Sequence, residues 1–163
     1  MCSGKIVNVV INSNQKINGG TNSNAEYNID WGAILKDRQA YKLHFSYVGQ
    51  PNTLTPSSKL AQVVVDFNTD NYLNVASVLG APSTYTLGCL RSFYLNGTTN
   101  YLYADDANNP PAYLANRPTN NRFRVQVLTN DATPIPWTDN AGTPVANNNY
   151  IMILSFQEID ETE

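Results

Sequence analysis

Apolar and polar residues alternate with a period of two in one segment after another of this chain. The clearest case runs from Ala40 to Gly49. Tyr41, Leu43, Phe45 and Tyr47 fall on one side, and Lys42, His44, Ser46 and Val48 on the other. Successive side chains point to opposite faces only in an extended strand, and one apolar face beside one polar face marks a half-buried antiparallel strand. The same pattern places Phe123, Val125 and Val127 together in Arg122 to Thr129. In the closing segment from Tyr150 to Gln157 it groups Tyr150, Met152, Leu154 and Phe156.

Other segments read the same way. Lys5 to Asn12 is rich in Val and Ile and forms a first strand. Tyr27, Ile29 and Trp31 share a face, and Asp30 is placed to N-cap one short helical turn from Trp31 to Leu35. Leu60 to Asn68 turns Ala61, Val63, Val65 and Phe67 inward. Tyr72 to Ser77 reads as a short strand, Tyr85 to Leu95 as a long one with Gly88 as its bending point, and Tyr101 to Tyr103 as a weak one. Between them, 12–24, 51–58 and 130–149 are dense in Asn, Gly and Pro and read as loops, and 105–121 reads as largely loop. The expectation is an all-β protein, an antiparallel two-sheet sandwich built as a single jelly roll of about 8–9 strands. Residues 1–163 show no composition shift that would divide them, so one jelly-roll domain is expected, with 158–163 as a solvated acidic tail.

Composition narrows the function. Charged residues make up only 14% of the 163, so uncharged groups must supply the polar surface, and the chain carries 23 asparagines. Asn closes turns with its own side chain, so its abundance matches the loop density. Ten Lys and Arg stand against 13 Asp and Glu. The nearest cationic pairs, Lys36 with Arg38 and Arg122 with Arg124, are too sparse for the phosphate neutralisation that nucleic-acid binding needs, so no direct nucleic-acid partner is expected. No apolar run approaches the ~18 residues of a membrane-spanning helix. Met1 to Lys5 leads at once into a strand, so no signal peptide is expected. Asn96-Gly97-Thr98 fits a glycosylation acceptor but reads more simply as a turn.

Chemistry-bearing residues form no set. His44, the single histidine, sits on the polar face of its strand, and no carboxylate or nucleophile is placed by spacing to work with it. Cys2 and Cys89 are too far apart to suggest a framework, and Cys89 reads as a small buried hydrophobe. Asp66, Asn68 and Asp70 begin like a calcium loop, but the sixth position is Asn71 and the twelfth Ser77, where such a loop needs Gly and Glu. Asp105 and Asp106 are adjacent and read as turn residues rather than as a catalytic carboxylate pair. No enzyme, cofactor or metal is expected. Aromatic placement offers a surface instead. Tyr101, Tyr103, Tyr113 and Trp137 lie in or beside the two long loops, where an apolar body with a polar tip suits contact with a partner.

Two stretches carry a resemblance. One is Tyr27-Asn28-Ile29-Asp30-Trp31 followed by Tyr41-Lys42-Leu43-His44-Phe45-Ser46-Tyr47. The other is 118–128, from Pro118 to Leu128, with the closing 150–156. In strand order and loose pattern the chain resembles the small single-jelly-roll minor capsid and capsid-associated proteins of large double-stranded DNA viruses. The resemblance implies a minor capsid, cement or penton-type component located in the virion and assembled inside the host cell. It implies contacts with other capsid proteins, a homo-oligomer and no catalysis, and it transfers no individual binding residue. The loop aromatics support an alternative, a carbohydrate- or receptor-binding sandwich such as a spike head.

Overall fold

The alternating segments become strands in the computed structural model of the chain. It describes residues 4–17, 22, 24–49, 61–67, 84–95, 99–104, 109, 111–129 and 149–159, with backbone alone at 61, 84–95, 99–102 and 129. Among these the strands are β1 (Ile6–Asn12), β2 (Asn24–Asn28), β3 (Tyr41–Gly49), β4 (Ala61–Asp66), β5 (Thr84–Leu95), β6 (Thr99–Ala104), β7 (Ala112–Leu114), β8 (Arg122–Thr129) and β9 (Tyr150–Glu158). One helical turn, α1 (Trp31–Ile34), follows β2, and a 3-10 turn at Ser13–Gln15 follows β1.

All pairings are antiparallel and fall into two sheets. Sheet I runs β1, β9, β3, β6, and sheet II runs β2, β8, β4, β5. With β7 set aside, the strands pair as nested hairpins: β1 with β9, β2 with β8, β3 with β6, and β4 with β5. β5 serves both sheets. Residues up to Leu90 pair with β4, and those from Arg91 pair with β6. The register beside β4 jumps from Val63 opposite Gly88 to Val64 opposite Thr86, so Leu87 is an extra residue. A bulge of this kind bends and twists a strand, which lets one strand turn the corner between two sheets. The bend expected at Gly88 is therefore a bulge beside it.

Both sheets turn their apolar faces onto one cluster. Tyr41, Leu43, Phe45 and Tyr47 of β3 are buried, as are Phe123, Val125 and Val127 of β8 and Met152, Leu154 and Phe156 of β9. Trp31 packs among Phe67, Phe123 and Phe156 with centroids 5.6, 5.3 and 5.5 Å away, and its indole N–H donates to the Asn120 carbonyl at 3.1 Å. Tilted and edge-on contacts at these separations suit the ring quadrupoles.

Several expectations change. Within 105–121, expected to be largely loop, Ala112–Leu114 form β7. β6 covers β3 only from Tyr47 to Gly49, and β7 pairs with the opposite end, Tyr41 to Leu43. The turn at Trp31 forms, but the Asp30 side chain makes no cap hydrogen bond. Its ψ of 88° is not the extended value a cap adopts, and its backbone carbonyl accepts from Ala33 at 3.2 Å. Glu158 is no part of a solvated tail. It pairs with Tyr41 in the ladder, its carboxylate meets Lys36 at 3.0 Å, and Ile159 donates its N–H to Ala40. The short strand expected at 72–77 and the side chain of Cys89 lie outside the described residues.

Candidate interaction surface

The register of sheet I fixes which side chains share its outer face, because residues directly opposite one another in an antiparallel pair project to the same side. Three rows cross that face. Ile6, Gln157, Lys42 and Tyr113 form the first, Asn8, Ser155 and His44 the second, and Val10, Ile153 and Ser46 the third. Next to the third row, Asn12, Ile151, Val48 and Tyr103 line up across β1, β9, β3 and β6.

The last two rows make an aliphatic strip. Val10 is 60% exposed, Val48 55% and Ile151 49%; Ile153 and Tyr103 are half-buried beside them. No charged side chain stands between Val10 and Tyr103 in these rows. Single exposed apolar residues are ordinary on a protein surface, but a contiguous set from four adjacent strands is a candidate contact surface. Charge depletion is also the compositional mark of an interface centre. The strip is thus bounded by the polar row of Asn8, Ser155 and His44 and ends on a tyrosine.

The four aromatic residues expected to form a contact surface fare differently. Tyr103 and Tyr113 both lie on the outer face of sheet I, opposite Val48 and Lys42 respectively, so they stand near opposite ends of β3. Tyr103 lies in β6, where a weak strand is expected, and Tyr113, expected in largely loop sequence, lies in β7. Tyr101 pairs with Phe93 in the β6–β5 ladder, and its side chain lies outside the described residues, as does Trp137 altogether. The strip is not visible in any one segment of the sequence, because its residues come from separate strands. Its signal was present in the β-branched residues that occupy outward positions, namely Val10, Val48, Ile151 and Ile153.

The outer face of sheet II is different in kind. Glu26 of β2 accepts from Arg122 Nε at 2.8 Å and Nη2, and from Arg124 Nη2 at 3.2 Å. The two guanidinium groups hold its carboxyl below the usual carboxylate range. The cationic pair noted in the sequence is therefore engaged within the sheet.

A group of buried polar side chains lies near one end of the sandwich. The hydroxyls of Tyr27 and Tyr150 lie 2.5 Å apart, and Tyr47 stacks on Tyr150 with centroids 5.1 Å apart. The Ser13 hydroxyl donates to Asn149 Oδ1 at 3.0 Å and accepts the Tyr150 N–H at 3.1 Å. Burial pushes Tyr27 up to about 12 and raises Tyr47 and Tyr150 well above the ordinary phenol value. Phenols held in this way stay protonated at neutral pH, so the cluster supplies no base there. A shallow cavity of about 290 Å³ beside it is lined by Val10, Ile11, Gln15, Tyr27, Asn28 and Ile29. Among the described residues there is no group of three or more His, Cys, Asp and Glu placed to hold a metal, and no helix long and apolar enough to cross a membrane.

Fold and surface together define a two-sheet antiparallel β protein with an apolar strip on the outer face of one sheet. Compared with known proteins, the chain matches no family model and no curated protein sequence.

Proposed function

We propose that this chain is a structural protein of a virus particle, a minor capsid, cement or penton-type component that uses the outer face of sheet I to bind neighbouring capsid proteins. The nested strand pairing supports a single jelly roll, an eight-stranded double sheet of two Greek keys, and β7 is then an addition beside β3. Jelly rolls also serve as sugar-binding domains, so the fold alone does not choose a function. The observation that carries the choice is the aliphatic strip of Val10, Ile153, Ile151 and Val48.

Branched aliphatic side chains complement another protein's apolar surface and gain from the release of water. Sugar recognition uses aromatic faces with convergent hydrogen-bonding groups, and the centre of this strip offers neither. Tyr103 and Tyr113 lie at its end and beyond it, where amphipathic rings suit the rim of a protein contact.

Lysine-directed crosslinking of intact particles tests this reading. Lys42 lies on the same face, two rows from the strip. Crosslinks from Lys42 to a different capsid protein are expected. Particles that contain the chain but crosslink it to other capsid proteins only through lysines other than Lys42, or particles without the chain, contradict it.

A further inference from the structure

The geometry points to a symmetric dimer in which the β1 strands of two copies of this chain pair edge to edge, with Asn8 on the two-fold axis. β1 is the outermost strand of sheet I and pairs only with β9 among the described residues. The direction of its backbone groups follows from one hydrogen bond. The Lys5 carbonyl accepts the Glu158 N–H at 3.0 Å. Antiparallel ladders alternate, so Lys5, Val7, Val9 and Ile11 turn their N–H and C=O toward β9, and Ile6, Asn8, Val10 and Asn12 turn theirs away. The Asn12 N–H is taken by Gln15 Oε1 at 3.4 Å. The groups open to a new strand are then those of Ile6, Asn8 and Val10, and Asn8 is their midpoint.

An antiparallel pairing about that midpoint is self-complementary. Asn8 faces its own copy, Ile6 faces Val10, and Val7 faces Val9. Ile6 and Val10 are 55% and 60% exposed, so each covers the most exposed apolar neighbour available on the strand. About six hydrogen bonds would join the copies, two at each of the three outward-directed pairs. A shift by one residue would send the two strands' apolar faces to opposite sides. Centring on Val10 instead would bring the capped Asn12 into the ladder, opposite Asn8. An isologous contact of this kind closes after two copies.

Natural edge strands are blunted by charge, proline, shortness or cover. Ile6–Asn12 has no charge and no proline over seven residues. The outermost strand of sheet II differs. β2 has five residues, carries Glu26 with its two arginines, and its Glu26 carbonyl accepts the Ile17 N–H at 2.8 Å. In the dimer the two copies of sheet I become continuous, and the apolar strips lie on one face on either side of the axis. The inference goes beyond the capsid reading and stands without it.

Light scattering on the purified full chain reads the outcome directly. The wild type is expected at twice the 18.0 kDa chain mass. Asn8→Pro removes an N–H that faces away from β9, so the fold is kept and the mass falls by half. Asn8→Lys sets two ammonium groups face to face on the axis and halves the mass as well, which decides the matter if the proline variant does not fold. Val48→Lys, on β3 away from the edge, keeps the dimer even where it removes capsid binding. A wild type at the single-chain mass, or an oligomer that survives both Asn8 substitutions in folded protein, overturns the inference.

Discussion

The hydroxyl of Tyr27 in β2 meets that of Tyr150 in β9 at 2.5 Å, which joins sheet II to sheet I by a hydrogen bond through the buried interior. Burial favours the neutral phenol and carries Tyr27 from 10.0 up to about 12. A group whose folded value is raised contributes fully below its unfolded value and is lost as pH rises through the folded one. Stability should therefore hold up to about pH 10 and fall steeply toward pH 12. Tyr47 and Tyr150, raised in the same direction, steepen the fall. Urea midpoints across this range check it, and Tyr27→Phe should show a shallower alkaline loss. A midpoint that stays level through pH 12 contradicts the buried cluster.

Tyr47 stands beside this pair with a fully buried hydroxyl that has no hydrogen-bond partner among the described residues. A buried polar group without a partner costs ~1–3 kcal/mol. Tyr47→Phe keeps the ring stacked on Tyr150 and should stabilise the protein by about 1 kcal/mol in equilibrium unfolding at neutral pH. Loss of stability would show that the hydroxyl has a partner after all.

Gly49 explains why that corner admits no side chain. A Cβ there would lie 2.9 Å from the Tyr47 ring and hydroxyl and 3.1 Å from the Tyr150 Cβ. Gly49→Ala should cost ~1–3 kcal/mol through overpacking, read as a lowered Tm.

Trp31 fills the interior from outside the sheets. It is 1% exposed and touches Phe67, Phe123 and Phe156. Trp31→Ala should lose ~3–5 kcal/mol, the range for a large buried ring replaced by a cavity. A loss below about 1 kcal/mol would mean that the aromatic cluster is not the centre of the core.

The outer strip behaves in the opposite way. Val48→Lys and Ile151→Lys alter exposed positions and should change stability by no more than about 0.5 kcal/mol. Their effect should fall on association, where truncation of a contact centre costs ~2 kcal/mol or more. Unfolding curves and binding isotherms for the same variants separate the two effects.

Much of this architecture is legible in the sequence because burial and alternation coincide. Tyr41 to Tyr47 and Tyr150 to Phe156 read correctly since every second residue is large and apolar, and Gly88 reads as a bend because it weakens a long strand. β7 does not read. Three residues after Pro110-Pro111 carry too little pattern, and they become a strand only because β3 leaves an edge open beside them. Glu158 reads as tail because its partners, Lys36 and Tyr41, are more than 100 positions away in sequence. The strip escapes for a related reason. Val10, Val48 and Ile151 are isolated outward residues in three separate segments, and only the register brings them together. Of the contact tyrosines, Tyr103 reaches the strip because its outward position in β6 falls opposite Val48.

Co-sedimentation with assembled particles tests the central claim most directly, with the wild type and Val48→Lys compared on the same density gradient. The wild type should travel with the particles at a fixed ratio to the major capsid protein, and folded Val48→Lys should remain at the top. A wild type that stays with free protein, or a Val48→Lys variant that enters particles as well as the wild type does, would contradict a capsid role exercised through the outer face of sheet I.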